Sequence, residues 1–162
     1  MGKRLRRGIK GHLPLICRIK AAVFVAAALH LFLTGCGKRI DYGLPEKPIE
    51  FHTGTFVNPA DPDNACQSIE YDGRTYIWYG TIKHRIGGND VGKCLGYIVQ
   101  DGVVMKDSRI FLLNADPDAN YLVRFSTDGF MDQPDFFRAL DSKGKTISTP
   151  PYIESLNSFY WE

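Results

Sequence analysis

The clearest pattern along the chain is apolar–polar alternation. The segment RTYIWYGTI, Arg74–Ile82, is aromatic and β-branched and follows the turn former Tyr71-Asp72-Gly73, so it predicts a strand. Tyr76, Trp78 and Gly80 then share one face, and Thr75, Ile77, Tyr79 and Thr81 the other. Residues 95–100, LGYIVQ, predict a second strand closed by Asp101-Gly102, with residues 103–105 returning beside it as a hairpin. Residues 109–113 (RIFLL) and 121–126 (YLVRFS) predict a further pair, joined by NADPDAN. Residues 136–140, FFRAL, read as a short strand or as one helical turn begun by Pro134-Asp135. No helical periodicity longer than two turns is visible beyond residue 50. The fold class expected is mainly β: a small antiparallel barrel or curled sheet of five to seven strands, a geometry that hides edges otherwise open to aggregation.

A different pattern occupies the start. AAVFVAAALHLFLTG, residues 21–35, is an apolar run of 15 residues, shorter than the roughly 20 a permanent spanning helix needs. Lys3, Arg4, Arg6, Arg7, Lys10, Arg18 and Lys20 precede it without an acid, which favours retention of that end in the cytoplasm. The run closes on Leu33-Thr34-Gly35-Cys36, similar to the lipobox of bacterial lipoproteins, where the cysteine thiol receives a diacylglycerol before cleavage. Basic segment, apolar run and lipobox in that order predict a lipoprotein signal peptide over 1–35 and lipidation of Cys36. Buried acyl chains contribute about 0.8 kcal/mol per CH2, so two or three of them hold a domain firmly at the extracytoplasmic face of the cell membrane. Residues 36–50, with two prolines and alternating charge, read as a lipid-anchored tether, leaving 51–162 as a single β-rich domain.

Cleavage before Cys36 changes the charge. Of the 20 Lys and Arg 13 remain, against all 18 acids, so the formal charge moves from +2 to −5. A mildly acidic domain argues against a nucleic-acid partner, which requires clustered cations.

From Tyr71 onward several segments carry a family resemblance: Tyr71-Asp72-Gly73-Arg74-Thr75-Tyr76, Tyr79-Gly80-Thr81, Gly92-Lys93-Cys94-Leu95-Gly96-Tyr97-Ile98, and the block from Arg109 through Tyr121-Leu122-Val123. In these the chain resembles a group of small lipoproteins and secreted proteins of Gram-positive anaerobes to which no activity is attached. The resemblance implies a lipobox signal peptide followed by one β-rich domain. Such relatives often carry an acid where this chain has Lys93, so no role needing a carboxylate before Cys94 carries over.

Candidate chemistry is sparse. Cys66 and Cys94 are the thiols left outside the signal peptide and the lipobox, and they either form a disulfide or stay free. NPADPDN (58–64) and NADPDAN (114–120) share an Asp-Pro-Asp core. Asp and Asn beside proline are plain turn formers. Acids two apart also make Asp61, Asp63, Asp116 and Asp118 calcium candidates, although neither loop has the glycine and distant glutamate of an EF-hand. Glu70 and Asp72 would share a face of an extended strand, yet they read as solvated acids at a turn entrance, and His84 as a solvated loop residue. Tyr79, on the face opposite Tyr76, and the terminal Tyr160 and Trp161 are the aromatics that could face a partner; packing into the core is the alternative. No cofactor is expected. These features predict an envelope lipoprotein with a non-enzymatic binding role toward a surface protein, peptide or glycan. A cell-wall or glycan hydrolase working through carboxylates, and an inhibitory or accessory protein for an envelope partner, are the other classes considered.

Overall fold

The computed structural model describes residues 38–128 and 133–161; the signal peptide expected over 1–35 and the lipidation site Cys36 lie outside these residues. Among the described residues there are nine strands: β1 (Ile49–His52), β2 (Gly54–Asn58), β3 (Asp61–Tyr71), β4 (Arg74–Ile82), β5 (Val91–Gln100), β6 (Val103–Leu113), β7 (Tyr121–Ser126), β8 (Asp135–Ala139) and β9 (Ile153–Ser155). They form a single curled, open sheet in the order β1-β5-β6-β7-β8-β4-β3-β2, with β9 added to β4. The two Asp-Gly pairs turn the chain as expected, with φ of 50° and 71° at Asp72-Gly73 and 51° and 78° at Asp101-Gly102. Positive φ at both central residues matches the twist of the flanking strands, which suits Asp-Gly and few other pairs.

The curled mainly β sheet agrees with the sequence, and its details extend it. Nine strands replace five to seven, and β1 pairs with β5 in parallel while the other pairs are antiparallel. FFRAL divides: β8 ends at Ala139, and Leu140–Ser142 forms a 3-10 turn. The sheet does not close into a barrel. β1 and β3 instead approach through side chains, with the Phe51 and Tyr71 rings 6.1 Å apart.

Side chains alternate between two cores, one on each face of the sheet. Phe51, Ile69, Tyr76, Leu95, Ile98, Ile110, Leu122 and Phe137 fill one. Tyr79, Phe111, Leu113, Tyr121, Val123, Phe125 and Phe136 fill the other, which is covered by Ile40 and Leu44 from the N-terminal side and by Ile147, Tyr152, Ile153 and Trp161 from the C-terminal side. Burial on both faces explains why YLVRFS is nearly continuous in apolar character. Tyr76 and Trp78 share a face and Tyr79 lies on the other, as the alternation requires, with a register shift between Trp78 and Gly80 where β4 meets β8.

Candidate functional site

Residues 38–48, expected to form a tether, instead lie against the sheet. Lys38 O accepts from Gly88 N at 2.7 Å. The Tyr42 ring stands edge-on to Phe111 and Phe125, with centroids 6.0 and 5.6 Å apart, and Tyr42 O accepts from Arg109 Nη1. Asp41 Oδ1 takes the Gly43 N–H at 2.9 Å and turns the strap. The folded unit therefore begins at Lys38 rather than near Phe51. The missed signal was the period-two spacing of Ile40, Tyr42 and Leu44, hidden among glycine, proline and charge. Strap and β5 enclose an open cleft of about 570 Å³ lined by Lys38, Asp41, Leu44, Val91, Lys93 and Cys94.

Cys66 and Cys94 are both free. Cys66 is on β3 and Cys94 on β5, strands that are not neighbours in the sheet, so the disulfide alternative is not formed. Asn157 Nδ2 donates to Cys66 Sγ at 3.7 Å and to Trp78 O at 2.9 Å. Cys94 packs in the second core. Burial pushes both thiols up, away from the reactive thiolate form.

The two acidic segments turn out unlike. Asp61 and Asp63 are exposed residues of β3, with only Pro59-Ala60 between β2 and β3, so no loop surrounds them. Asp116 is buried, and its own loop uses its carboxylate: Oδ1 accepts from Asn120 Nδ2 at 3.1 Å and Oδ2 from Tyr121 N at 2.6 Å. Asp118 is exposed and contributes its backbone carbonyl to Arg74 Nη1 at 2.9 Å. The calcium candidates thus do not converge, and among the described residues no group of three or more His, Cys, Asp or Glu is placed to hold a metal. Glu70, one residue before the end of β3, accepts from Thr75 Oγ1 at 2.6 Å, and Asp72 sits in the left-handed turn, so the pair lacks the extended-strand geometry considered from sequence. His84 is exposed between β4 and β5.

The aromatic candidates belong to packing. Tyr79 is 5% exposed, and Trp161 meets it edge-on at 5.1 Å. The Arg138 guanidinium lies 4.8, 5.4 and 5.7 Å from the Trp161, Tyr79 and Tyr121 centroids, while Arg138 Nε donates to Ser142 Oγ at 2.9 Å. Tyr160 is half-buried between Phe56 and Lys143. Periodicity puts Tyr79 on a face but cannot say that the C-terminal segment covers that face.

The exposed apolar residues gather elsewhere. Val103, Val104 and Met105 follow the Asp101-Gly102 turn at 63, 49 and 42% exposure. Their strand, β6, pairs with β7 only from Ser108 onward, and one further bond joins Thr127 N to Asp107 O at 2.8 Å. Among the described residues, 103–105 therefore pair on the β5 side alone, while Lys106 O accepts from Arg109 Nε at 2.9 Å. A cleft of about 470 Å³ adjoins this edge, lined by Met105, Ser108, Arg124, Gln133 and Asp135, with Arg124 ion-paired to Asp135. Trp78 Nε1 also donates to Asp135 Oδ1 at 3.1 Å, fixing the carboxylate. Comparison with protein-family models, curated proteins and solved structures finds no match for the chain.

Proposed function

We propose that the protein is an envelope lipoprotein, held by lipid on Cys36 at the extracytoplasmic face of the cell membrane, whose β-domain binds an extended segment of another surface protein. The observation that carries the binding role is the β6 edge, where Val103, Val104 and Met105 are exposed beside backbone groups paired on one side. An extended peptide laid there gains main-chain hydrogen bonds from residues 103–105 and apolar contacts from alternate side chains. The Arg124–Asp135 ion pair at the adjoining cleft gives the apolar strip a polar rim. The role needs no activated nucleophile or convergent acid–base pair. The order of basic segment, apolar run and Leu33-Thr34-Gly35-Cys36 supports the anchor.

The test is site-specific photo-crosslinking in intact cells from a photoreactive residue at Val104, with the same residue at Gly144 as control. A discrete adduct with an envelope protein from position 104, absent from 144, is the expected result. Indistinguishable patterns from both positions would contradict the reading.

A further inference from the structure

We infer that the end of the domain where the chain enters it is a docking surface for an anionic phospholipid bilayer. This rests on the lipid anchor proposed above. The chain enters at Lys38, whose carbonyl is bonded to Gly88 N at 2.7 Å. The approach is close enough that a Cβ on Gly88 would lie 2.3 Å from Arg39 O, so only glycine leaves room for the strap. Entry point and turn are thereby held together, and both are basic. Lys38 and Arg39 are exposed, as are Lys83, His84 and Arg85 on the turn, and the exposed Lys93 lines the same cleft as Lys38.

Five of the 13 Lys and Arg that remain after cleavage thus gather at one end of a chain whose formal charge is then −5. None of the five enters an ion pair among the described residues. The acids nearby keep their charge, though three of them are turned to hydrogen bonds within their own loops. Asp90 Oδ2 is taken by Gly87 N at 2.9 Å, Asp116 is buried with both oxygens used, and Asp41 Oδ1 is taken by Gly43 N; Glu154, opposite Thr81, is exposed. Five cations against these four acids leave a local excess of one positive charge, opposite in sign to the −5 of the whole.

Two residues of chain from Cys36 to Lys38 reach at most about 7 Å. That is within the roughly 8 Å over which charge acts at physiological salt. An acylated cysteine in the interface therefore brings Lys38 and Arg39 into the field of anionic headgroups, and the turn bonded to Lys38 follows; each cation that reaches the headgroups strengthens association about fivefold. The strap makes the leash short, so the patch orients the domain instead of leaving it to swing.

The test uses the protein extracted from membranes and reconstituted in vesicles of phosphatidylcholine, with or without phosphatidylglycerol. A water-soluble amine reagent labels lysines, and peptide mass spectrometry reads each site. Labelling of Lys38, Lys83 and Lys93 should fall about threefold or more when phosphatidylglycerol is present. Lys106, at the other end of the β5–β6 hairpin from Lys93, should not change. The double variant Lys83→Glu/Arg85→Glu should lose the protection at Lys38 and Lys93 with unchanged thermal unfolding. Equal labelling of the wild-type protein in the two vesicles would overturn the docking surface, whatever the variant does. The N-terminal peptide of the same digest reports the anchor separately: an unmodified Cys36 would sink the lipoprotein reading, while the lysine pattern would still decide the patch.

Discussion

Arg138 shows how one residue can carry both electrostatics and packing. It is buried at 9% exposure, its guanidinium faces Tyr79, Tyr121 and Trp161, and its Nε–H reaches Ser142, whose hydroxyl donates in turn to Ala139 O at 2.7 Å. A planar delocalised cation serves there because it stacks on rings and desolvates more easily than an ammonium. Replacing Arg138 by Ala should cost about 3 kcal/mol by loss of the cation–ring contacts and the void left behind. Lys at 138 should recover only part of that, since it keeps charge but loses the fork; thermal unfolding of the two variants distinguishes this from a simple need for charge, in which Lys would restore stability fully. Arg74 works differently, donating from Nη2 to Asp141 at 2.8 Å and from Nη1 to the carbonyls of Asp118 and Ala119, both at 2.9 Å, and so clamping the 114–120 loop. The hydrogen bond from Arg74 holds the Asp141 carboxyl below its ordinary range. Because the folded pKa is the lower one, this contribution is complete above the unfolded value near 3.9 and is lost as pH falls through the folded value. Asp141 is half-exposed, so screening keeps the effect small. Unfolding temperature measured from pH 6 to 2 should fall less steeply for Asp141→Asn than for the natural chain, and parallel curves would contradict the link.

At the level of elements, β4, β5 and β7 were legible because each is apolar and bounded by turn formers. Residues 103–105 and 109–113, read as two strands, are one strand, β6, which runs through the polar Lys106-Asp107-Ser108 between them. β3 was hidden. Its DPDNACQSIEY is mostly exposed or half-exposed near the edge of the sheet, so it carries little of the apolar signal that buried strands must show. The candidate site suffered similarly: Asp116 reads as a ligand until the loop is seen to consume its oxygens, and the exposed β6 edge depends on where β7 stops pairing, which no local pattern states. The strap was missed because its glycines and prolines suggest freedom, while Tyr42 in fact packs on Phe111 and Phe125. Gly88→Val tests that packing. The added Cβ would collide with Arg39 O, and overpacking of this kind costs about 1–3 kcal/mol. Amide exchange across residues 40–44 should accelerate in the variant while β6 and β7 stay protected; unchanged exchange would mean that the strap does not depend on that contact.

For the whole molecule, composition and charge narrowed the field more than any motif did. The acidic balance expected of a chain cleaved before Cys36 argues against nucleic acid, yet it conceals a basic end that only the folding of Lys38 and Arg39 beside the 83–85 turn assembles. On the proposed account, lipid on Cys36, the short strap and the basic end hold the domain at the membrane, and the β6 edge offers its one-sided backbone to a partner. The lipid is the premise on which the membrane arrangement depends, and it has the simplest readout. Intact-mass measurement of the protein extracted from membranes, followed by its N-terminal peptide, should give a chain beginning at Cys36 and carrying a diacylglyceryl group. A chain that still begins at Met1, or one beginning at Cys36 without lipid, would contradict the account.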